Sequence, residues 1–276
     1  ALMQSADIAM YHAKKAGKGV FRCFDPAMMA ATTKRLSLEQ RLREATRCGQ
    51  FVLHYQAQVQ ARGLRPLGVE ALIRWRQADA SLISPLEFIA VAEELGLIHS
   101  IGEWALRTAC ADMASWHRQG LSGLSVAVNL SAVQLSDPTL PQRIAAALTD
   151  SGLDPHALTL EITESAAMAD PETSIKTLGA IRALGVRLAI DDFGTGYSSL
   201  AYLKRLPLDY LKLDRAFVQD LENDSNDAAI CAATIGLAHN LGLKVVAEGV
   251  ETAAQQHYLA GLQCDSLQGY LFCRPL

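Results

Sequence analysis

The sequence predicts an α/β fold, specifically a modified (β/α)8 TIM-type barrel with one antiparallel strand. Short apolar runs alternate with helical segments from residue 51 onward, which is typical of parallel βαβ units. About eight strands fall within about 220 residues, which is the size of one such barrel. An open doubly wound sheet is the alternative, but no G-x-G-x-x-G follows any predicted strand.

Two helical segments precede the first predicted strand. Leu2–Gly17 is an amphipathic helix with Lys14 and Lys15 in its last turns, where cations suit the helix dipole. A short apolar piece, Val20–Phe24, follows it, and then Asp25-Pro26 breaks the pattern. Leu36–Cys48 is a second helix, charged on one face and closed by Gly49. The start without Met, in the middle of a helical pattern, leads us to expect a fragment of a longer chain.

The alternating part begins with two strands joined by the turn Arg62-Gly63. This connection is too short for a helical crossover, so we expect one of the two strands to be antiparallel. The predicted strands are Phe51–Val59, Leu67–Trp75, Leu124–Leu130, Leu158–Thr163, Val186–Ile190, Tyr210–Leu213, Lys244–Ala247 and Ser266–Leu271. The predicted helices are Pro85–Leu95, Ile101–Gln119, Leu140–Ser151, Pro171–Leu184, Ser198–Arg205, Asn226–Leu241 and Ala253–Leu259.

The composition excludes several classes of protein. The 276 residues carry a net charge of −4 with 50% hydrophobic content, which argues against disorder and, without a basic stripe, against a polymeric nucleic-acid partner. No apolar run approaches the ~20 residues that span a bilayer. The six cysteines form no C-x-x-C and the histidines no H-E-x-x-H, so we expect reduced thiols, a cytoplasmic location, and oxygen ligands for any metal.

Polar side chains interrupt the strands at or near their carboxyl ends, which in a barrel surround one mouth. They are Glu70, Asn129, Glu161, Asp191, Asp192, Lys212, Glu248, Glu251 and Gln268. Singly, each could be a helix cap, a turn residue or an ion-pair partner. Together, five of the acids would repel one another at the mouth, namely Glu70, Glu161, Asp191, Asp192 and Glu248. Few basic residues lie at the strand ends to offset this repulsion, chiefly Arg74 and Lys212.

Divalent cations such as Mg²⁺ or Mn²⁺ would relieve that repulsion, and adjacent Asp191 and Asp192 could bridge two ions. From the residues alone, metal-dependent phosphoryl chemistry is favoured. Another metal-dependent barrel enzyme and a binding or structural barrel stay open.

Seven segments in order resemble the EAL domain family of cyclic di-GMP phosphodiesterases over about residues 35–276. They are Gly68–Trp75 with Glu70-Ala71-Leu72, Val128–Ser131, Leu160–Ser165, Asp191–Leu200, Lys212–Asp214, Glu248–Glu251 and Gln268–Tyr270. One departure is Ala57, where the family commonly has Pro beside Gln56. Alanine at this position lacks the rigid kink of proline, which could loosen the backbone at Gln56. The change removes no metal ligand.

The resemblance implies a two-metal site that hydrolyses cyclic di-GMP to linear pGpG. Glu70, Asn129, Glu161 and Asp191 would hold one Mg²⁺ or Mn²⁺, and Asp191, Asp192 and Glu248 the second, whereas Ca²⁺ would bind but inhibit. Lys212 would contact the attacking water or the phosphate, and Glu251 would steady Lys212 or a ligand. The implied substrate contacts are Gln56, Arg74 and Gln268, and Glu164 would anchor the loop from Asp192 to Ser199.

The N-terminal segment resembles the end of a GGDEF (diguanylate cyclase) domain through Ala6-Asp7, Ala9-Met10-Tyr11 and Ala13–Gly17. We therefore expect residues 1–27 to be a GGDEF remnant and linker, and residues 28–276 to be the EAL domain. The expected parent is a GGDEF–EAL tandem, which further N-terminal regions could tether to a membrane. An EAL–EAL homodimer is expected near the helix Ser198–Arg205. A catalytically weak cyclic di-GMP receptor is the alternative function, since EAL-like domains that lose the metals can keep the pocket.

Overall fold

The computed structural model describes residues 2–15, 17, 19–194, 200–222 and 224–276. The chain divides into two compact units, one of Ala1–Phe51 with Trp75–Leu97 and one of Val52–Arg74 with Ile98–Leu276. Neither unit matches the expected division at residue 27, which stays a prediction. Among the described residues, no helix combines the length and the apolar character needed to cross a bilayer.

Of the nine strands in the part of the chain that the structure describes, eight close into a barrel, which confirms the predicted fold class. The strands are β1 (Phe51–Gln60), β2 (Pro66–Arg76), β3 (Leu82–Ile83), β4 (Ser125–Leu130), β5 (Leu158–Thr163), β6 (Arg187–Phe193), β7 (Tyr210–Leu213), β8 (Lys244–Ala247) and β9 (Ser266–Gln268). Their order is β1-β9-β8-β7-β6-β5-β4-β2, and β2 pairs with β1 to close the ring. β1 runs antiparallel to β9, as expected for one of the first two strands, and β3 pairs with the end of β2 outside the ring.

Helices connect most of the strands. They are α1 (Leu2–Lys15), α2 (Pro26–Cys48), α3 (Pro85–Glu94), α4 (Ile98–Arg118), α5 (Ala132–Leu135), α6 (Leu140–Ser151), α7 (Glu164–Ala169), α8 (Pro171–Arg182), α9 (Leu200–Leu203), α10 (Arg215–Gln219), α11 (Ser225–Asn240) and α12 (Ala253–Gly261). A 3-10 turn, Pro155–Ala157, leads into β5.

Several boundaries differ from the predicted ones for local reasons. α2 begins ten residues earlier than expected, because Asp25 caps it by accepting from Ala27 N and Pro26 suits the first turn. β9 ends at Gln268 instead of Leu271. The predicted helix Ser198–Arg205 is described as α9 alone, since Ser198 and Ser199 lie outside the described residues.

The barrel strands alternate between an outward apolar face and an inward polar face. Outward side chains such as Val128, Leu160 and Ile190 are at most 3% exposed and belong to the core under the helices. Inward positions on the same strands carry Asn129, Glu161 and other polar groups. The period of two in a strand therefore directs the acids into the barrel interior instead of the helix layer.

The smaller unit has an aromatic core of its own. The rings of Phe51, Trp75 and Phe88 lie 5.7–6.3 Å apart, and the Trp75 indole nitrogen donates to Gln50 Oε1 at 3.2 Å. Arg41 stacks over Trp75 with its guanidinium carbon 5.3 Å from the ring centre. These contacts join α2 and α3 to the end of β2.

Candidate active site

The carboxyl ends of the parallel strands bring the predicted polar residues together inside the barrel. β2 supplies Glu70, β5 supplies Glu161 and β6 supplies Asp191, while Glu248 follows directly after β8. Asn129 on β4 is the register partner of Glu161, which places both on the same inward face. Lys212 on β7 points into the centre of this group.

Lys212 contacts four carboxylates of the site. Its ammonium nitrogen lies 2.6 Å from Glu161 Oε2, 2.6 Å from Glu248 Oε1, 3.1 Å from Asp191 Oδ2 and 3.7 Å from Glu70 Oε2. Only 1% of the side chain is exposed. Burial alone disfavours the charged ammonium, but the carboxylates, led by Glu161 and Glu248, outweigh it and raise the pKa of Lys212 well above its usual value. Lys212 is therefore a permanently charged centre.

The acids around Lys212 exceed the charge that one ammonium can balance. Burial, followed by the neighbouring charge of Glu70, raises the pKa of Glu161 well above its usual value. Burial also raises the pKa of Glu248 to about 7, with the charge of Asp191 adding to it and Lys212 opposing it. The crowding of negative charge therefore makes the ionised forms of these two acids less favourable in the absence of a further cation.

A chain of amide side chains holds Glu70. Asn129 Nδ2 donates to Glu70 Oε1 at 2.7 Å, and Gln268 Nε2 donates to Glu70 Oε2 at 2.6 Å. The Gln268 side chain also contacts Gln56 Oε1 at 3.1 Å and accepts from Gln58 Nε2 at 3.0 Å. Burial raises the pKa of Glu70, but Lys212 and these donors outweigh burial, and the net shift is downward. Glu70 is thus held ionised in one orientation.

Asp192 lies in an unusual backbone conformation beside a second acid. Its φ of 54° is in the left-handed region, and the pairing of β6 with β7 shifts register between Ile190 and Phe193. Burial raises its pKa to about 6, with contributions from the charge of Asp191 and a side-chain hydrogen bond to Asp214. The strand was expected to end at Ile190, but it continues through both aspartates, and the bulge turns Asp192 toward Asp214.

Glu164 holds the start of the following loop. This residue is buried in the first turn of α7, and its Oε2 accepts from Gly194 N at 3.2 Å. Gly194 has φ 98°, and a Cβ there would lie 3.0 Å from the Phe217 ring, so both conformation and space favour glycine. Thr195 and Ser198, which lie in the loop that Glu164 is predicted to anchor, are outside the described residues. The hydrogen bond from Gly194 N is a contact between Glu164 and the start of this loop, and the anchoring role of Glu164 stays a prediction.

In the described part of the chain, four predicted residues, Glu251, Arg74, Gln56 and Gln268, make no contact with Lys212 that would define a role. Glu251 is exposed, its backbone N–H donates to Gln255 Oε1, and the described residues show no ion pair between it and Lys212. Arg74 lies four residues beyond Glu70 on β2, half-buried toward the rim. Gln56 and Gln268 are buried and bonded to each other, so they reach Glu70 and its neighbours. Their predicted contacts with substrate stay predictions.

Two residues of the site were missed. Gln58, two positions after Gln56 on the same face of β1, completes the amide chain, and this period of two was the available signal. Asp214 pairs with Asp192 and also caps α10 by accepting from Ala216 N at 2.7 Å. Its position two residues after Lys212 was visible, but the bulge that brings Asp192 to it was not.

The donor set suits a hard divalent cation. Glu70, Glu161, Asp191, Asp192 and Glu248 present carboxylate oxygens against one ammonium, and Asn129 donates through Nδ2, which leaves its Oδ1 for a cation. In the part of the chain that the structure describes, no three acidic, His or Cys side chains are already arranged around an ion-sized point. The Lys212 ammonium lies at the point where four of the carboxylates converge.

Comparison with known proteins finds a matching family model and similar proteins of described activity. The family model described as "EAL domain" matches residues 39–275. The chain is 48% identical over 275 residues to the bifunctional diguanylate cyclase/cyclic di-GMP phosphodiesterase MucR of Pseudomonas aeruginosa, and 38% identical over 276 residues to the cyclic di-GMP phosphodiesterase PdeR of Escherichia coli. Each match covers the whole chain, which spans 40% and 42% of those two proteins.

Solved structures agree with this placement. A PaMucR phosphodiesterase in complex with c-di-GMP aligns with a TM-score of 0.84 at 49% identity, covering 87% of this chain and 97% of that one. The FimX EAL domain from Pseudomonas aeruginosa bound to c-di-GMP aligns with a TM-score of 0.79 at 26% identity, covering 87% and 96%.

Proposed function

Because the chain belongs to the EAL domain family, we propose that it is a metal-dependent phosphodiesterase that hydrolyses one phosphodiester bond of cyclic di-GMP to give linear pGpG. The observation that carries this proposal is the buried ion cluster of Lys212 with Glu161, Glu248, Asp191 and Glu70 at the barrel mouth. The relatives named as cyclic di-GMP phosphodiesterases support the substrate.

Two Mg²⁺ or Mn²⁺ ions would be held by the acids of the mouth. Glu70, Asn129, Glu161 and Asp191 would hold one ion, and Asp191, Asp192 and Glu248 the other. When bound, the ions supply Lewis acidity that lowers the pKa of a water and offsets phosphate charge. The amide chain through Gln268 keeps Glu70 ionised and oriented for that role.

Lys212 is the residue of this chain that would act on the reacting phosphate. Its ammonium stays charged and can donate hydrogen bonds to the attacking water or to a phosphate oxygen as negative charge develops there. Water adds to phosphorus, the bond to one ribose 3′ oxygen breaks, and that oxygen leaves with a proton. The ring opens, and the single product is the linear dinucleotide pGpG, with a 5′-phosphate at one end and a free 3′-hydroxyl at the other.

The remaining residues would position the reactants. Arg74 at the rim would bind a phosphate or a guanine of the dinucleotide. Gln56 and Gln268 would contact the side of the dinucleotide that faces the barrel interior. Glu164 would fix the backbone at Gly194 and thereby the two aspartates that precede it. Glu251 is exposed and forms no ion pair with Lys212 among the described residues, and it would act only once substrate or an ion is bound.

We also propose that two copies associate near α9, as an EAL–EAL homodimer. Leu200 at the start of α9 is 54% exposed, which supports an apolar contact there. Sedimentation of the wild type and of Leu200→Lys would test this proposal, because a shift of the variant toward monomer is expected. A wild type that is monomeric at all concentrations would contradict it.

The test of function is product analysis. The protein is incubated with cyclic di-GMP and Mg²⁺ or Mn²⁺, and the nucleotides are separated, with Glu70→Ala as the matched inactive variant. Linear pGpG from the wild type alone is the expected result. Tight binding without turnover would instead establish a cyclic di-GMP receptor, and the absence of both binding and turnover would contradict the proposed substrate.

A further inference from the structure

The opposite end of the barrel carries a second polar cavity. It has a volume of about 620 Å³ and lies where the strands begin, far from the acidic mouth. This volume is in the range of small-molecule sites, about 300–1,000 Å³. The side chains that line it include Arg65, Arg187, Tyr210 and Lys244, together with His117 and His156.

Three of these side chains point inward for the same reason as the catalytic acids. Arg187 on β6 lies four residues before Asp191, and Lys244 on β8 lies four residues before Glu248, which follows that strand directly. Tyr210 precedes Lys212 by two residues on β7. Even spacing in a strand keeps the same face, and four residues place the cations about 13 Å below the mouth. Tyr210 and Lys244 are also register partners, so they lie side by side.

The positive charge of this cavity has no acidic partner in the described part of the chain. Arg65, Arg187 and Lys244 enter no salt bridge there, and Arg187 Nη1 donates to the Tyr210 hydroxyl at 3.3 Å. The two acidic residues that line the cavity, Asp154 and Asp265, bond to other groups. Asp154 accepts from His156 N at 2.9 Å, and Asp265 accepts from Val245 N at 2.8 Å and contacts His239 at 3.0 Å.

We propose that this cavity binds a phosphate-bearing small molecule through Arg187, Tyr210 and Lys244. A guanidinium matches two phosphate oxygens in its plane, and an ammonium adds a point charge. The Tyr210 hydroxyl accepts from Arg187, which leaves its own hydrogen free to donate to the anion. A separate, smaller cavity of about 40 Å³ is also lined by Tyr210 and Ser266, together with Glu161. This proposal does not depend on the proposed function.

Titration with inorganic phosphate tests the site. The full chain in excess EDTA is titrated at constant ionic strength and followed by calorimetry, because without added metal the acidic mouth repels the probe. Saturable binding is expected, weakened about ten-fold or more in Arg187→Gln and in Lys244→Gln, since each removes a charge-assisted contact. Arg118→Gln, an exposed charge outside the cavity, should bind as the wild type does.

Circular dichroism and melting temperature establish that each variant is folded, and Tyr210→Phe, which keeps the ring, provides a second variant with a smaller loss. Succinate at the same ionic strength separates a phosphate site from a general anion site. Absence of saturable phosphate binding to the wild type, equal affinity in Arg187→Gln and Arg118→Gln, or succinate binding as tight as phosphate would each overturn the proposal.

Discussion

The ammonium of Lys212 lies 2.6 Å from Glu161 Oε2, and the two side chains are 1% and 2% exposed. β5 and β7 are not neighbours in the sheet, so this ion pair spans the barrel interior across β6. Removing two charges from water is costly, and such a pair is weak support for stability as a whole. Its consequence is a fixed positive charge beside the oxygens proposed to bind metal.

Removal of Lys212 should separate chemistry from binding. Lys212→Ala should lower kcat by at least about 100-fold while KM changes little, because the ammonium acts on charge that develops in the transition state. Steady-state kinetics at saturating Mg²⁺ measure both constants. A raised KM with an unchanged kcat would show that Lys212 binds substrate instead.

The amide chain should matter for metal affinity more than for folding. Gln268→Ala removes a donor to Glu70 at 2.6 Å, and metal affinity should fall by about 10- to 100-fold, as for other partners of metal ligands. Calorimetric titration with Mn²⁺ gives the affinity, and Gln119→Ala, an exposed glutamine, is the control. Wild-type Mn²⁺ affinity in Gln268→Ala would remove Gln268 from the positioning of Glu70.

The loop anchor should act through the aspartates. Glu164→Ala loses the acceptor for Gly194 N, so Asp191 and Asp192 lose a fixed position, and a displacement of about 1 Å can cost about 100-fold in rate. Turnover should fall sharply and metal binding should weaken, with the melting temperature nearly unchanged. Glu172→Ala, an exposed acid on α8, is the matched control. Full turnover in Glu164→Ala at saturating Mg²⁺ would leave the loop a passive connection.

Metal stabilisation should grow with pH. The pKa of Glu248 is raised to about 7 and that of Asp192 to about 6, so in the metal-free protein both acids favour stability while protonated and lose that contribution as pH rises through these values. Cations bind the ionised forms. Mn²⁺ is added at about 100 times the Kd that it has at pH 8. The resulting rise in melting temperature should be roughly 5 °C at pH 8, and smaller at pH 5.5 with the same Mn²⁺ concentration.

Glu248→Gln cannot titrate at this position and should show a flatter dependence on pH. A wild-type melting shift that is equal at the two pH values would indicate that the raised acids do not compete with the metal for protons.

The sequence predicted the barrel and its acidic mouth because both follow from short-range rules. Alternation within strands and position at strand ends were sufficient to bring Glu70, Glu161 and Asp191 together. The pairing of Asp192 with Asp214 could not be predicted, since it depends on a bulge in β6 and a left-handed residue that is not glycine. The link from Gln58 to Gln268 depends on the register between β1 and β9, which no local pattern shows.

The central claim is that the oxygens around Lys212 bind divalent cations that the hydrolysis of cyclic di-GMP requires. Its most direct test is the rate of pGpG formation by one preparation in excess EDTA and after restoring Mg²⁺, Mn²⁺ or Ca²⁺. We predict no pGpG in EDTA, recovery with Mg²⁺ or Mn²⁺, and little with Ca²⁺, which tolerates irregular geometry and activates water less well. Full activity in excess EDTA would contradict the account.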